Sequence, residues 1–163
     1  VTALGMAPID VLLLNAGVHL QKDCSLDELN ADLWMREFQT NVIAPLVLAR
    51  RLADNITRSD LRRVIAISSG SASIAGMKSG GNYAYRSCKT ALNATMHMLA
   101  ADLAPRGITV VPIAPGHTRT DMGGATAPYS AEDSVTRVRG VIAVLSFKDS
   151  GNFLSRDGAP LPW

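Results

Sequence analysis

The run ITVVPIA, residues 108–114, is apolar everywhere except Thr109 and stops at Pro115-Gly116. A strand with one wet face alternates apolar and polar residues, whereas one covered on both faces reads as a continuous apolar run. Two further runs have the same character, VLLL at 11–14 and VIAI at 64–67, and each ends in small or turn-forming residues. Long helical stretches separate them. The first is predicted from about Leu26 to Asn55. The second is predicted from about Tyr83 to Ala104, where Pro105 and Gly107 stop it. A further helix is predicted to start at Ser130, an N-cap serine followed by Glu132 and Asp133. The closing GNFLSRDGAPLPW is read as a last short strand around an Asp-Gly turn. Strand and helix in alternation at these lengths imply right-handed crossovers and a doubly wound parallel α/β sheet.

In such sheets ligands bind beyond the carboxyl ends of the strands. Asn15-Ala16-Gly17, Ser68-Ser69-Gly70 and Pro115-Gly116 all fall there, and the only long irregular region, 115–130, adjoins them. The site is predicted at that edge.

The chain of 163 residues suffices for one domain, and its 47% hydrophobic and 18% charged composition fits a soluble globular protein. Net charge is +2, and the densest basic group, Arg58, Arg62 and Arg63, reads as solvated charge near a helix end. No nucleic-acid patch is therefore expected, and no apolar run reaches the ~18 residues that a membrane span needs. Cys24 and Cys88 are too few for a disulfide scaffold, and with His19, His97 and His117 they lack metal-ligand spacing. The opening VTALGMAPID has neither the basic region nor the apolar run of a secretory leader. A reduced, cytoplasmic protein is expected.

The chemistry turns on GNYAYRSCK, residues 81–89, where Tyr85 precedes Lys89 by one helical turn. Residues four apart share a helix face. An ammonium ~4 Å from the phenol at an effective dielectric of ~20 is worth up to ~4 kcal/mol, enough to lower the tyrosine pKa by about three. Such a phenol suits proton transfer to or from an alcohol or carbonyl oxygen. On the spacing alone, a solvated helix face is the favoured reading. Tyr83, whose residue four positions on is Ser87, is read as packing. Ser68 and Ser69 close the second strand, and either hydroxyl could hold a substrate oxygen; Ser71 and Ser73 compete for the role. In NVIAP, Pro45 cannot donate to the Asn41 carbonyl. That carbonyl is then free to hold a relay water, or the segment is an ordinary proline kink.

LNAG after a strand, Asn41 in a helix, ISS at a strand end, YxxxK and PGxxxT occur in this order. The order resembles the short-chain dehydrogenase/reductase family. YAYRSCKTALN, PGHTRTDMGG, the S-E-D helix start and the terminal DGxxLPW are similar to its C-factor and sniffer-like carbonyl reductase branch. The resemblance implies a catalytic tetrad of Asn41, Ser69, Tyr85 and Lys89, with Tyr85 as acid/base and Ser69 orienting the substrate. Lys89 would lower the Tyr85 pKa and hold the nicotinamide ribose, and Asn41 would hold the relay water. It also implies NAD or NADP as cofactor, lined by Asn15, Ala16, Gly17, Tyr85, Lys89, Pro115, Gly116, Thr118 and Thr120. Asp121 to Tyr129, with Gly123 and Gly124, would be a mobile substrate loop. A small carbonyl or alcohol would be the substrate, and the two long helices would pair copies into a homo-oligomer.

Departures from the pattern are Leu14 where a second Asn is usual, Cys88 for a serine, and His117 for an aromatic. Cys88 is read as a small buried residue, and His117 as either a substrate contact or a surface loop residue. None of the 13 glycines forms TGxxxGxG or GxGxxG, the turn that cradles a pyrophosphate. Residues 1–163, which do not begin with Met, are therefore expected to be the C-terminal portion of one such domain. They would be strands four to seven of a Rossmann-like sheet of seven, with three earlier units of roughly 70–80 residues outside the chain. VLLL would then be an edge strand. The alternatives are a non-catalytic signalling or binding protein on the same fold, and an inactive fragment.

Overall fold

The computed structural model describes residues 4–163; residues 1–3, the start of the segment read above for a leader, lie outside them. Four strands form one parallel sheet in the order β1 (Val11–Leu14), β2 (Arg63–Ile67), β3 (Thr109–Ala114), β4 (Leu154–Ser155). The helices are α1 (Ala31–Phe38), α2 (Ala44–Thr57), α3 (Tyr83–Leu103) and α4 (Ala131–Val144).

Helices cover both faces. Val64, Ala66 and Val110 join Leu52, Ile56, Leu92 and Met96 of α2 and α3 on one side. Ile65, Val111 and Ile113 meet Val138 and Val141 of α4 on the other. The strands β2 and β3 therefore bury both parities of their side chains, which is why those runs do not alternate. Proline is tolerated inside β3 for a directional reason. Val110 uses both backbone groups away from β2, accepting from Gly151 and donating to Ser150 Oγ, at 2.8 and 3.1 Å. Pro112 shares that parity, so its missing N–H costs no β2–β3 bond.

The expected single helix from Leu26 to Asn55 is broken. Leu26–Glu28 makes one short 3-10 turn, and the Asn30 side chain then caps α1 by accepting from Leu33 N at 3.0 Å. A π-turn over Gln39–Ile43 joins α1 to α2, with the Ala44 N–H reaching back to Gln39 O. Pro45 follows directly in the first turn of α2, so its missing donor falls where the wider turn ends. The predicted α3 and α4 are found, and Ser130 caps α4 by accepting from Asp133 N at 3.0 Å. Arg63 is half-buried rather than solvated. Its guanidinium donates to Ile142 O and Leu145 O, both at 2.8 Å, satisfying the last carbonyls of α4. Among the described residues, no helix is long and apolar enough to cross a membrane.

Candidate active site

The register aligns the carboxyl ends of β1, β2 and β3, so the Asn15, Ser68 and Pro115 turns leave the sheet at one edge. Asn15 and Ala16 are exposed there. Strand parity separates the two serines. Ser68 is buried and donates to Asn93 Oδ1 of α3 at 2.6 Å. Ser69 caps the turn that follows, accepting from Ser71 N at 3.1 Å, with its hydroxyl beside the Tyr85 phenol. Ser71 is exposed, and Ser73 accepts from Gly76 N at 3.0 Å, so Ser69 is the serine brought to Tyr85.

Lys89 is almost fully buried and donates through Nζ to Ile67 O at 2.9 Å. Gly17 fits between this ammonium and Asn41: a Cβ there would lie 3.5 Å from Lys89 Nζ and 3.4 Å from Asn41 Oδ1. Asn41 spends its side-chain amide on the loop after β1. It accepts from Val18 N at 2.9 Å and donates to Val18 O at 2.8 Å.

Electrostatics depart from the expectation. Lys89 Nζ stands 5.8 Å from the centre of the Tyr85 ring and points to the Ile67 carbonyl. Burial raises the Tyr85 pKa above its ordinary 10, while the Ser69 hydroxyl pulls the other way. The expected lowering by Lys89 is absent because desolvation outweighs a cation held away from the oxygen. The same burial lowers Lys89 from 10.5 to about 8. Cys88, read as a small buried residue, is fully buried, and its thiol is pushed up to about 11.

The Lys89 shift has a consequence for stability. Its folded pKa lies below its unfolded one, so charged burial costs up to ~3 kcal/mol below about pH 8 and is relieved as the pH rises to 10.5. Lys89→Met removes that cost and leaves Ile67 O unpaired. The variant is expected to be ~1–2 kcal/mol more stable in urea melts at about pH 7, with the gap closing toward about pH 10.

Other predicted lining residues are less engaged. The Thr118 hydroxyl pairs with Ser134 Oγ of α4 at 2.8 Å, and that of Thr120 accepts from Gly123 N within the loop at 3.1 Å. Gly116 has φ +82°, and a Cβ there would press on the Tyr129 ring at 3.0 Å. His117 is exposed and engages Gly123 O at 2.8 Å, a surface loop residue. Tyr83 is exposed, not packed.

Two site residues escaped the sequence reading. The His19 imidazole stacks on the Tyr85 ring, centroids 4.4 Å apart and planes 27° apart. Glu37 is fully buried and accepts from Leu20 N and Gln21 N at 2.7 and 3.0 Å. Its spacing of four from Asn41 was the one available signal.

Residues 2–130 match the sequence model of the short chain dehydrogenases. The chain belongs to that family. Its relatives include C-signal of Myxococcus xanthus, 37% identical over 156 residues that cover 96% of this chain and 93% of the relative. An uncharacterized oxidoreductase of Schizosaccharomyces pombe is 30% identical, over 95% of this chain and 68% of its own. Among solved structures, the carbonyl reductase Sniffer of D. melanogaster superposes with a TM-score of 0.92 at 33% identity, covering 99% of this chain and 69% of its own. An NADPH-bound carbonyl reductase from chicken fatty liver gives 0.90 at 28% identity, over 99% and 69%. The short-chain dehydrogenase chain therefore matches C-signal over nearly the full length of both, and the reductases over about two thirds of theirs.

Proposed function

We propose that this chain carries the acid/base half of a nicotinamide-dependent oxidoreductase interconverting a small carbonyl and an alcohol. The observation behind this reading is one buried cluster in which Ser69, Asn41 and the α3 residues Tyr85 and Lys89 converge from three segments. A binding surface has no need of a phenol, a hydroxyl and a desolvated ammonium together.

The residues present fit the nicotinamide end of NAD or NADP. Gly17 leaves room against Lys89, whose ammonium has hydrogens beyond the one given to Ile67 O. When bound, the nicotinamide supplies or accepts the hydride at the carbonyl carbon. Lys89, with a pKa of about 8, is about nine-tenths charged at neutral pH and would hold the ribose hydroxyls. Ser69 donates to the substrate oxygen and fixes it beside Tyr85. In reduction, the Tyr85 O–H bond breaks and its proton goes to that oxygen as the carbonyl π bond opens. A phenol whose pKa is raised is held protonated at neutral pH, ready to donate. In alcohol oxidation the phenolate is needed, so that direction should speed up with rising pH.

Ser69→Ala is expected to lower kcat/KM about 100-fold with little change in stability. Ser68→Ala should leave kinetics nearly intact while costing ~1–3 kcal/mol, because Asn93 loses a buried partner. The test is NAD(P)H-coupled reduction of a panel of aldehydes and ketones by wild type and both variants. Equal losses in the two variants would overturn the assignment, and no coenzyme-dependent turnover in either direction would overturn the reductase reading.

A second reading has its own support: the near-complete mutual coverage with C-signal is what a non-catalytic signalling or binding protein on this fold would also give. Substitution of Tyr85 separates the two.

A further inference from the structure

The loop after β1 is held at two points by one helical face. Asn41 grips Val18 through both amide groups, and Glu37 grips Leu20 and Gln21 through Oε1. The residue between the grips is His19, and its ring lies on Tyr85 at 4.4 Å. A stacked imidazole so fixed restricts the tilt of the phenol, and misplacing a reacting group by ~1 Å can cost ~100-fold in rate. Glu37 Oε2 and His19 Nε2 are both buried and both lack a hydrogen-bond partner. An unpaired carboxylate oxygen inside a protein is costly, and its persistence beside a titratable ring points to use.

We infer that His19 is a positioning residue for Tyr85: its ring, carried by the Glu37–Asn41 clamp, holds the phenol in the plane that proton transfer requires. This inference rests on the acid/base reading of Tyr85. It also predicts that the rate falls at acid pH. Burial lowers the His19 pKa from its ordinary 6.5, so the ring is neutral when the site works. Several groups act on His19 besides Tyr85. Glu37 of α1 favours its cation, as does Asn82 at the start of α3; in its own loop Asp23 favours and Lys22 opposes the cation. Cys88 and Lys89 stand behind Tyr85 on α3. Once protonated, the imidazole is drawn to Glu37 Oε2, and the stack on Tyr85 is lost.

The test combines nuclear magnetic resonance of this chain with kinetics. The carbon-bound ring protons of His19, assigned by their loss in His19→Phe, should be shifted upfield by the Tyr85 ring. That shift should persist in Tyr85→Phe and vanish in Tyr85→Leu. Glu37→Gln keeps an acceptor for the loop, so the shift should remain while the His19 titration midpoint moves lower. Kinetically, His19→Ala should lower kcat about tenfold with KM little changed. His19→Phe should restore most of that rate and remove the acid limb of the profile. A His19 spectrum indifferent to Tyr85→Leu overturns the inference whatever the enzyme assay gives. Unaltered kcat in His19→Ala overturns it as well. An intact stack in a wild-type chain that turns over no carbonyl overturns instead the acid/base reading on which the kinetic half stands.

Discussion

Tyr85→Phe is expected to lower carbonyl turnover by about 10³-fold or more while coenzyme affinity and the melting temperature hardly change. General acid catalysis by one positioned group contributes ~10²–10⁴. The raised pKa means that the wild-type proton is present at neutral pH and is removed outright by the substitution. The fold should tolerate the change, because Tyr85 is half-buried and Phe keeps the ring that His19 stacks upon. Steady-state rates with saturating NADPH, alongside coenzyme binding by fluorescence titration, make the measurement. Turnover that survives would mean that the phenol is not the acid, and biological activity without any turnover would favour the signalling alternative.

Phe153→Ala is expected to cost ~3–5 kcal/mol, which at this size lowers the melting temperature by on the order of 10 °C. Phe153 is fully buried and packs with Ala72 and Ala114, the residues that follow the Ser69 turn and precede Pro115. Trp163 closes the cluster from outside, its ring 5.8 Å from Phe153 and 5.3 Å from His97. The void would therefore open beneath two walls of the site. Thermal unfolding by circular dichroism measures the first effect. A melting point within a few degrees of wild type would mean that the tail repacks into the space.

The strands were legible because burial on both faces leaves a mark that needs no knowledge of neighbours. Even Pro112 did not disturb it, since its missing donor faces the side where β4 begins late. The break before α1 was less legible. Asn30 carries a capping side chain, but helix-forming residues surround it, and only the path of the loop shows which tendency prevails. The order LNAG, Asn41, ISS, YxxxK gathered the right residues at one edge. It could not tell where Lys89 Nζ would point. Spacing of four puts two side chains on one face, whereas the Ile67 carbonyl, distant in sequence, decides the direction. Ser68 and Ser69 were separable only once the strand's parity was anchored by its neighbours. His19 was beyond reach, because its place depends on hydrogen bonds to residues 16 to 23 positions away.

The all-parallel order of the sheet also governs how the chain comes together. Val11 pairs with Arg63 and Arg63 with Thr109, so each pairing closes a loop of roughly fifty residues before any contact repays it. Folding of such a topology is slow beside that of a helical bundle, in the millisecond-to-second range. During that interval VLLL has no finished partner. Among the described residues its one partner is β2, which must first be made and brought alongside.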